Sequence, residues 1–220
     1  MQTESSKLEN LATPGSTAIQ TVYVIDDDDS MRRSLSRLLT ASGIPTLSFS
    51  SADEYLEHSP HGASGCVLLD LSMPGCDGLE LQDRLSRIGR TLPIVFLTGC
   101  GDVPSSVRAM KLGAVDFLTK PVEKKRLLPA IRAAFAQDES LRSRQALQDD
   151  VRERLERLTP REREVIQLVA QGLLNKQIAA ELGTVEKTVK VHRSRAMAKM
   201  QLTSVAELVR LLGRTEPAFA

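Results

Sequence analysis

Short apolar runs alternate with amphipathic segments along the first 137 residues of the chain. The most continuous run covers residues 65–70, ends in the carboxylate of Asp70 and is followed by a turn at Pro74-Gly75. A run without polar alternation predicts a strand buried on both faces, as in a parallel sheet between two layers of helices. We predict strands at residues 21–25, 45–50, 65–70, 93–98 and 114–118, and helices from a cap at Ser30 to Gly43 and at 52–58, 78–88, 103–112 and 123–137.

Five strands that alternate with five helices indicate an α/β fold with right-handed crossovers between parallel strands. We therefore expect a five-stranded doubly wound parallel sheet of the flavodoxin-like type, with strand order 2-1-3-4-5. In that order the first and third strands are neighbours. The residues that follow the first strand then lie beside Asp70, at the carboxyl edge where open α/β sheets place their binding sites.

The charged segment at residues 138–157 carries an apolar residue at every third or fourth position, which is typical of a helix. We predict a helical linker here, and a dimerising seam along it is an alternative. The apolar positions are Leu141, Ala146 or Leu147, Val151, Leu155 and Leu158.

A helical domain is predicted after the linker. Thr159, Pro160 and Glu162 have the spacing of a capping box with proline at the first helical position. Two helices separated by a short turn indicate a helix-turn-helix, which places its second helix in the major groove of DNA. The later helices are predicted after a cap at Asn175, at residues 186–200 and at residues 204–212.

Charge is distributed unevenly along the chain, although the net charge is only +1. Residues from Val151 onward carry +5 and the preceding residues −4, so the second domain is suited to a polyanion. The aromatic share of 3%, without tryptophan, argues against base stacking on single strands. Three cysteines without CxxC spacing fit a reducing compartment. Without a membrane-length apolar run or an N-terminal signal core, we expect a cytoplasmic protein with no membrane partner.

Acidic side chains are expected to converge at the carboxyl edge of the sheet. Asp26 and Asp27 follow the first strand, Asp70 ends the third and Lys120 follows the fifth. An all-oxygen set of acids is suited to Mg²⁺, and the ion together with Lys120 would neutralise a phosphoryl group arriving on Asp70. The alternative is an acidic loop that is merely solvated, but the position of these residues at strand ends favours the phosphorylation site.

These residues resemble the receiver domain of bacterial two-component response regulators over residues 21–137. The matching motifs are Asp26-Asp27, Asp70-Leu71-Ser72-Met73-Pro74-Gly75, Thr98-Gly99 and Lys120-Pro121.

The resemblance implies a role for each matching position. Asp70 would be the phosphoacceptor, Asp27 a direct magnesium ligand and Asp26 a supporting one. The resemblance also implies a metal contact from the Ser72 backbone carbonyl, a contact from Lys120 to the phosphoryl oxygens, a switch hydroxyl on Thr98, a switch aromatic at Phe117 and a cis peptide at Lys120-Pro121. Thr98 as a turn residue and Phe117 as a core residue are the plainer alternatives.

Two positions near the acceptor match those that set the lifetime of the acyl phosphate in the family. Here they are Ser72 and Cys100, and neither is an evident general base, so we expect a stable phosphoryl group. Cys76 also lies in the loop after Asp70. Packing is the favoured interpretation for Cys76 and Cys100, and a redox input is the alternative.

The second domain resembles the LuxR/NarL-type helix-turn-helix, and the whole chain resembles FixJ/StyR-type regulators. With Val189 in the core, Lys187, Lys190, Val191 and Ser194 fall on the opposite side of the third helix. The resemblance places base contacts on Lys190, Val191 and Ser194. Candidates for phosphate contacts are Lys176, Thr188, Arg193, Arg195 and Lys199.

One position departs from the family. Relatives often carry serine or a similar cap immediately before the recognition helix, where this chain has Val185. Valine cannot cap a helix, so either Thr184 replaces it or the helix start is weakened by about 1 kcal/mol.

The expected organisation is a mobile tail at residues 1–20, a receiver domain at 21–137, the linker at 138–157 and a DNA-binding domain at 158–214. The tail as a partner-binding arm is the alternative. The resemblance implies a transcriptional activator that is not an enzyme beyond its own phosphorylation and dephosphorylation. Its implied partners are a sensor histidine kinase, a second copy after phosphorylation, double-stranded promoter DNA and RNA polymerase.

Two other functions are weighed against this interpretation. One is a DNA-binding protein that ignores phosphorylation and uses its first domain only for docking, which the complete set of acids disfavours. The other is a metal-dependent phosphohydrolase, which is disfavoured because no second aspartate follows Asp70 at short spacing to serve as general acid.

Overall fold

The computed structural model describes residues 19–58, 62–89, 92–99 and 103–212 and divides the chain into two compact units at residues 141 and 142. The expected tail up to residue 18, Cys100 and residues 213–214 lie outside the described residues. Within the described ranges, no helix is both long and apolar enough to cross a bilayer.

The first unit contains the predicted five-stranded parallel sheet, with order β2-β1-β3-β4-β5, so the expected fold class and strand order are confirmed. Its elements are β1 (Thr21–Ile25), α1 (Asp29–Ala41), β2 (Thr46–Phe49), α2 (Ala52–His58), β3 (Gly65–Asp70), α3 (Gly78–Arg87), β4 (Ile94–Thr98), α4 (Val103–Lys111), β5 (Asp116–Thr119) and α5 (Lys124–Glu156), the last of which continues into the second unit.

Every residue of β3 is buried, because the sheet has a hydrophobic core on each side. Residues of α2, α3 and α4 pack on one face, and residues of α1 and α5 pack on the other. Strands covered in this way need the continuous apolar runs seen in the sequence. The only described position of β3 with an ionisable carboxylate is its last one, Asp70, at the carboxyl edge of the sheet.

Helix α5 differs from the prediction of a helix that ends at residue 137 and a separate linker helix. It is a single helix to Glu156, because residues 138–156 contain no glycine or proline to interrupt it. Just beyond the expected end, the buried Asp138 accepts hydrogen bonds from Ser64 Oγ (2.8 Å) and from the Gly65 backbone N–H (2.9 Å). This contact fixes α5 to the start of the strand that carries Asp70.

Two helix caps predicted from the sequence are wrong. Asp28, not Ser30, caps α1, because its carboxylate accepts a hydrogen bond from the Ser30 N–H (2.8 Å). Leu174, not Asn175, occupies the cap position of α7 (Asn175–Glu181), and its N–H donates to Gln177 Oε1 (2.7 Å).

The second unit contains the end of α5 and the helices α6 (Pro160–Ala170), α7, α8 (Glu186–Lys199) and α9 (Val205–Leu212). The predicted capping box is present, with Thr159 and Glu162 bonded reciprocally. Gly183, with φ of +60°, allows the tight turn between α7 and α8. Val151 and Leu155 of α5 belong to the core of this unit.

Candidate phosphorylation and DNA-binding sites

The run of four acids at residues 26–29 is divided among different tasks. Asp28 is the cap of α1. Asp29 forms ion pairs with Arg32 and Arg33 on the exposed surface of the same helix. Only the first two acids of the run therefore remain available to a site at the sheet edge.

Those two acids meet Asp70, as the strand order predicted. Carboxylate oxygens of Asp26, Asp27 and Asp70 all lie within 4.8 Å of one another. Register explains the meeting, because Ile25, the last residue of β1, pairs with Leu69 of β3, so that Asp26 and Asp70 follow the paired residues at the same edge. Asp26 and Asp70 are buried and Asp27 is exposed, so the cluster opens to solvent on one side.

Lys120 reaches this cluster from the end of β5. Its Nζ lies 2.7 Å from Asp26 Oδ2 and 2.9 Å from Asp70 Oδ2. Its backbone N–H donates to the Thr98 carbonyl (2.7 Å), which holds the residue at the sheet edge. The Lys120-Pro121 peptide bond is cis, as expected. One ammonium therefore bridges the two buried carboxylates.

The pKa values of this pair reflect opposing effects. Burial raises the pKa of Asp26, although the hydrogen bond from Lys120 acts in the opposite direction. Burial alone would lower the pKa of Lys120, but its hydrogen bonds to Asp26 and Asp70 outweigh that effect, and the pKa is raised. Lys120 is thus a cation, and Asp26 is a carboxylate that pays a desolvation cost for its ionised form.

The acid cluster fits a hard divalent cation. Three carboxylates with a single ammonium leave negative charge that a dication would balance, and oxygen ligands are those that Mg²⁺ prefers. The Ser72 N–H lies 3.4 Å from Asp70 Oδ1, which places this residue beside the cluster. A metal contact from the Ser72 carbonyl stays a prediction.

Thr98 and Phe117 lie on one face of the sheet. Thr98 is buried at the end of β4, one residue beyond Leu97, the register partner of Asp70. Phe117 is partly buried, and its ring centroid lies 6.1 Å from that of Phe96. Phe117 packs against the core cluster that contains Ala109 of α4. A rearrangement of the Phe117 ring would therefore change the packing of the cluster to which α4 contributes.

Gly78 is a site-supporting residue that sequence reasoning missed. A Cβ atom at this position would lie 2.5 Å from the Asp70 carbonyl oxygen, so only glycine allows α3 to begin so close to the acceptor strand. A glycine directly before an apolar helical pattern, close to a candidate site, is the signal that could have indicated this approach.

Cys76 is buried in the loop after Asp70, and burial raises the pKa of its thiol. A protonated, enclosed thiol is a poor nucleophile, which supports the packing interpretation over the redox alternative. Cys100 lies outside the described residues.

In the second unit, α8 has the predicted two-sided character. Val189, Ala196 and Met200 are buried in the core of the unit. The opposite side is exposed. It carries Lys190, Val191 and Ser194, which are predicted to contact bases, together with Lys187. Lys176 and Arg195 are also exposed, whereas Thr188 is half-buried.

Two of the cations predicted to contact phosphates have partners within the protein. Lys199 Nζ lies 2.6 Å from Glu162 Oε2, a buried carboxylate that also accepts from the Thr159 N–H. The bond from Lys199 is the main cause of the lowered pKa of Glu162. A phosphate contact from Lys199 would require breaking this pair. Arg193 donates from one terminal nitrogen to Asn175 Oδ1 (3.0 Å).

Val185 occupies the cap position of α8 without a side-chain hydrogen bond, and its side chain is exposed. Thr184 does not replace it, because the cap is one residue later. The helix therefore starts without a side-chain cap.

Comparison with known proteins identifies both units. Residues 22–132 match the response regulator receiver domain family, and residues 156–212 match the bacterial regulatory proteins of the luxR family. Nodulation protein W of Bradyrhizobium diazoefficiens is 46% identical over 86% of this chain and 84% of its own length. The transcriptional regulatory protein FixJ of the same organism is 45% identical over 88% of this chain and 94% of its own.

Solved structures give the same result. The low-resolution structure of the response regulator StyR is 45% identical, with a TM-score of 0.80 over 90% of this chain and 100% of that one. Full-length FixJ from B. japonicum is 44% identical, with a TM-score of 0.54 over 90% of this chain and 98% of that one.

Proposed function

Because the chain belongs to the response regulators that join a receiver domain to a LuxR-type DNA-binding domain, we propose that its activity is switched by phosphorylation of Asp70. It is a transcriptional response regulator of a two-component system. The receiver domain implies a histidine-kinase partner, and the LuxR-type domain implies DNA binding. The observation that carries the proposal is the bridge from Lys120 Nζ to Asp70 and Asp26 within a cluster of three carboxylates.

Asp70 is the acceptor because its carboxylate ends a buried strand beside an ammonium. Transfer forms a bond between a carboxylate oxygen of Asp70 and phosphorus, while the bond from phosphorus to the kinase histidine nitrogen breaks and its electron pair stays on the imidazole. Asp26, Asp27 and Asp70 would hold Mg²⁺ with the Ser72 carbonyl, and the ion would supply charge neutralisation for the phosphoryl oxygens.

Lys120 and Asp26 cooperate in this step. The ammonium of Lys120 already lies 2.9 Å from Asp70, so it needs only a small shift to bind an oxygen of the new phosphoryl group. Asp26 holds Lys120 in place through its own 2.7 Å contact. Positioned charge of this kind accounts for most of the catalysis of phosphoryl transfer.

The phosphoryl group is expected to engage the Thr98 hydroxyl and draw Phe117 inward, which changes the packing under α4. That helix and the residue after it present apolar side chains to solvent, since Val107, Met110 and Leu112 are 48%, 49% and 47% exposed. Exposed apolar side chains clustered in this way favour pairing with a second copy. Dimerisation then presents two DNA-binding domains and raises affinity through bivalency.

On DNA, we assign base contacts to Lys190, Val191 and Ser194, with Lys187 on the same exposed side of α8. Phosphate contacts are assigned to Lys176, Thr188, Arg193 and Arg195, and Lys199 is left in its pair with Glu162. The dimer would act as an activator in the cytoplasm, where it meets promoter DNA and RNA polymerase.

The test compares the wild-type chain with Asp70→Asn and with Asp83→Asn, a control in which a surface carboxylate paired with Arg87 is removed. Each is incubated with acetyl phosphate and Mg²⁺ and followed by intact mass spectrometry, gel filtration and promoter binding. We expect one phosphoryl group, dimerisation and tighter binding for the wild type and the control, and none of these for Asp70→Asn. Normal dimerisation or binding by Asp70→Asn would refute the proposed switch and favour a DNA-binding protein that ignores phosphorylation.

A further inference from the structure

Asn175 makes a contact between the two helices of the helix-turn-helix. It is the first residue of α7, and its Oδ1 accepts a hydrogen bond from a terminal nitrogen of Arg193 in α8 at 3.0 Å. Its side chain does not cap α7, because Leu174 holds the cap position. The amide of Asn175 is therefore engaged in bridging the helices.

The chemistry of the pair fixes which way the amide faces. An arginine side chain offers only donors, so the oxygen of Asn175 must face Arg193 and its NH₂ group must face elsewhere. Neither that NH₂ group nor the other guanidinium nitrogens make a hydrogen bond in the part of the chain that the structure describes. Asn175 and Arg193 are both half-buried. None of the unbonded nitrogens of their side chains is a fully buried polar atom without a hydrogen-bond partner. Their donors are thus at least partly accessible to solvent.

The place of Arg193 on α8 decides what these donors can reach. It lies four residues after the buried Val189, which puts it about 40° from the core-facing direction of the helix. Lys190 and Ser194 lie on the opposite, exposed side. A donor pair on the flank of a recognition helix is placed for the backbone of the DNA and away from the base edges.

We propose that the Asn175 amide nitrogen and the Arg193 guanidinium bind one DNA phosphate together, as a clamp that spans α7 and α8. The proposal rests on the proposed DNA binding of the second domain. It adds Asn175 as a phosphate-binding residue and gives Arg193 a fixed geometry. Because the phosphate is held by both helices, the clamp also sets how far α8 enters the groove.

The experiment uses the full chain after treatment with acetyl phosphate and Mg²⁺, and a labelled DNA duplex of mixed sequence as the probe. Binding is measured by fluorescence anisotropy between about 50 and 200 mM NaCl, and the slope of log affinity against log salt is determined. The variants are Asn175→Ala, Asn175→Asp, Arg193→Gln and the double variant Asn175→Ala/Arg193→Gln. Arg210→Gln, on the exposed surface of α9, is the control for net charge, and thermal unfolding confirms that each variant is folded.

The expected results separate the clamp from a structural contact. Arg193→Gln should make the salt slope shallower by about 0.9, the value for one phosphate. Asn175→Ala should weaken binding by about tenfold, as expected for one charge-assisted hydrogen bond. Asn175→Asp should bind more weakly still, because it keeps the acceptor for Arg193 but repels the phosphate. The double variant should bind like Arg193→Gln alone, and the control should keep the wild-type slope.

Three results would overturn the clamp. They are an unchanged slope in Arg193→Gln, binding by Asn175→Asp that is as strong as or stronger than that of Asn175→Ala, and additive losses in the double variant. If the wild-type chain binds DNA in a salt-dependent way in these cases, only the clamp is refuted and the proposed DNA-binding function stands. A wild-type chain without any salt-dependent binding would overturn both the clamp and that function.

Discussion

Individual side chains of the receiver site are arranged for binding charge at the expense of stability. Asp26 is fully buried beside a second buried carboxylate, and burial raises its pKa. A carboxyl group whose pKa is higher in the folded than in the unfolded state contributes stability below its unfolded pKa and loses it as the pH rises through the folded pKa. At neutral pH the ionised Asp26 therefore lowers the free energy of unfolding.

Asp26→Asn should consequently stabilise the receiver domain at pH 7 and weaken its metal binding. We expect the melting temperature to rise by a few degrees at pH 7. The difference from the wild type should shrink as the pH is lowered to 4, because the raised pKa of Asp26 favours proton uptake by the folded wild type. Mg²⁺ affinity should fall by about 10–100-fold. Thermal unfolding at both pH values and calorimetric Mg²⁺ titration measure these effects. A variant less stable than the wild type at pH 7 would contradict this account.

Among individual residues, the sequence predicted those side-chain contacts that follow directly from the order of the strands. Asp26, Asp27, Asp70 and Lys120 meet because parallel strands end at one edge, and that edge could be inferred from alternating patterns alone. The pairs formed by side chains on different helices were not predictable. The bond between Asn175 and Arg193, and likewise that between Glu162 and Lys199, depends on how helices pack, which periodicity does not specify.

Among the elements, α8 starts in an unusual way. Its cap residue, Val185, is 64% exposed and forms no side-chain hydrogen bond, so the first N–H groups of the recognition helix lack the partner that serine would supply. The helix must then be held mainly by its packing through Val189 and Ala196.

Val185→Ser should stabilise the second domain. A serine cap in place of an apolar residue contributes about 0.5–2 kcal/mol, and exposure of Val185 means that little packing is lost. Urea unfolding of the full chain, followed by circular dichroism, should show the unfolding of the second domain shifted to higher denaturant. Val209→Ser, at an exposed position inside α9, is the control and should give no gain. Equal behaviour of the two variants would show that capping does not limit the stability of α8.

Element boundaries were predictable where a residue type enforces them. Gly172 and Gly183 end helices, and the capping box marks the start of α6. The expected break at residue 137 was wrong because it was placed at a change in composition. What changes near there is burial, since Ala134 is buried and residues 142–147 are exposed, while the backbone continues as a helix.

At the scale of the whole molecule, α5 contributes to the cores of both units. Its first turns supply Leu127 and Ile131 to the receiver core. Its last turns supply Val151 and Leu155 to the core of the DNA-binding unit, and Arg154 donates to the Met200 carbonyl at the end of α8 (3.1 Å). The predicted division into a linker to residue 157 and a domain from 158 therefore cuts through buried contacts.

This organisation predicts different stabilities for two C-terminal fragments. A fragment that begins at residue 142 keeps Val151 and Leu155, which are 1% and 6% exposed, whereas one that begins at Leu158 loses both. Burying each of these side chains contributes about 1.5–3 kcal/mol, so the shorter fragment should be less stable by roughly 3–6 kcal/mol. A single core in a domain this small rarely supplies more than about 3–5 kcal/mol, so the shorter fragment should be largely unfolded.

Urea unfolding of both fragments measures the difference. Within the longer fragment, Leu155→Ala should lower stability by about 2–5 kcal/mol, whereas Leu147→Ala, at an exposed position of the same helix, should leave it unchanged. Equal unfolding midpoints for the two fragments would mean that the end of α5 is only a linker. A loss confined to the shorter fragment and to Leu155→Ala would mean that the helix leaving the receiver is also the first helix of the DNA-binding domain. Any signal that displaces α5 would then act directly on the core that supports α8.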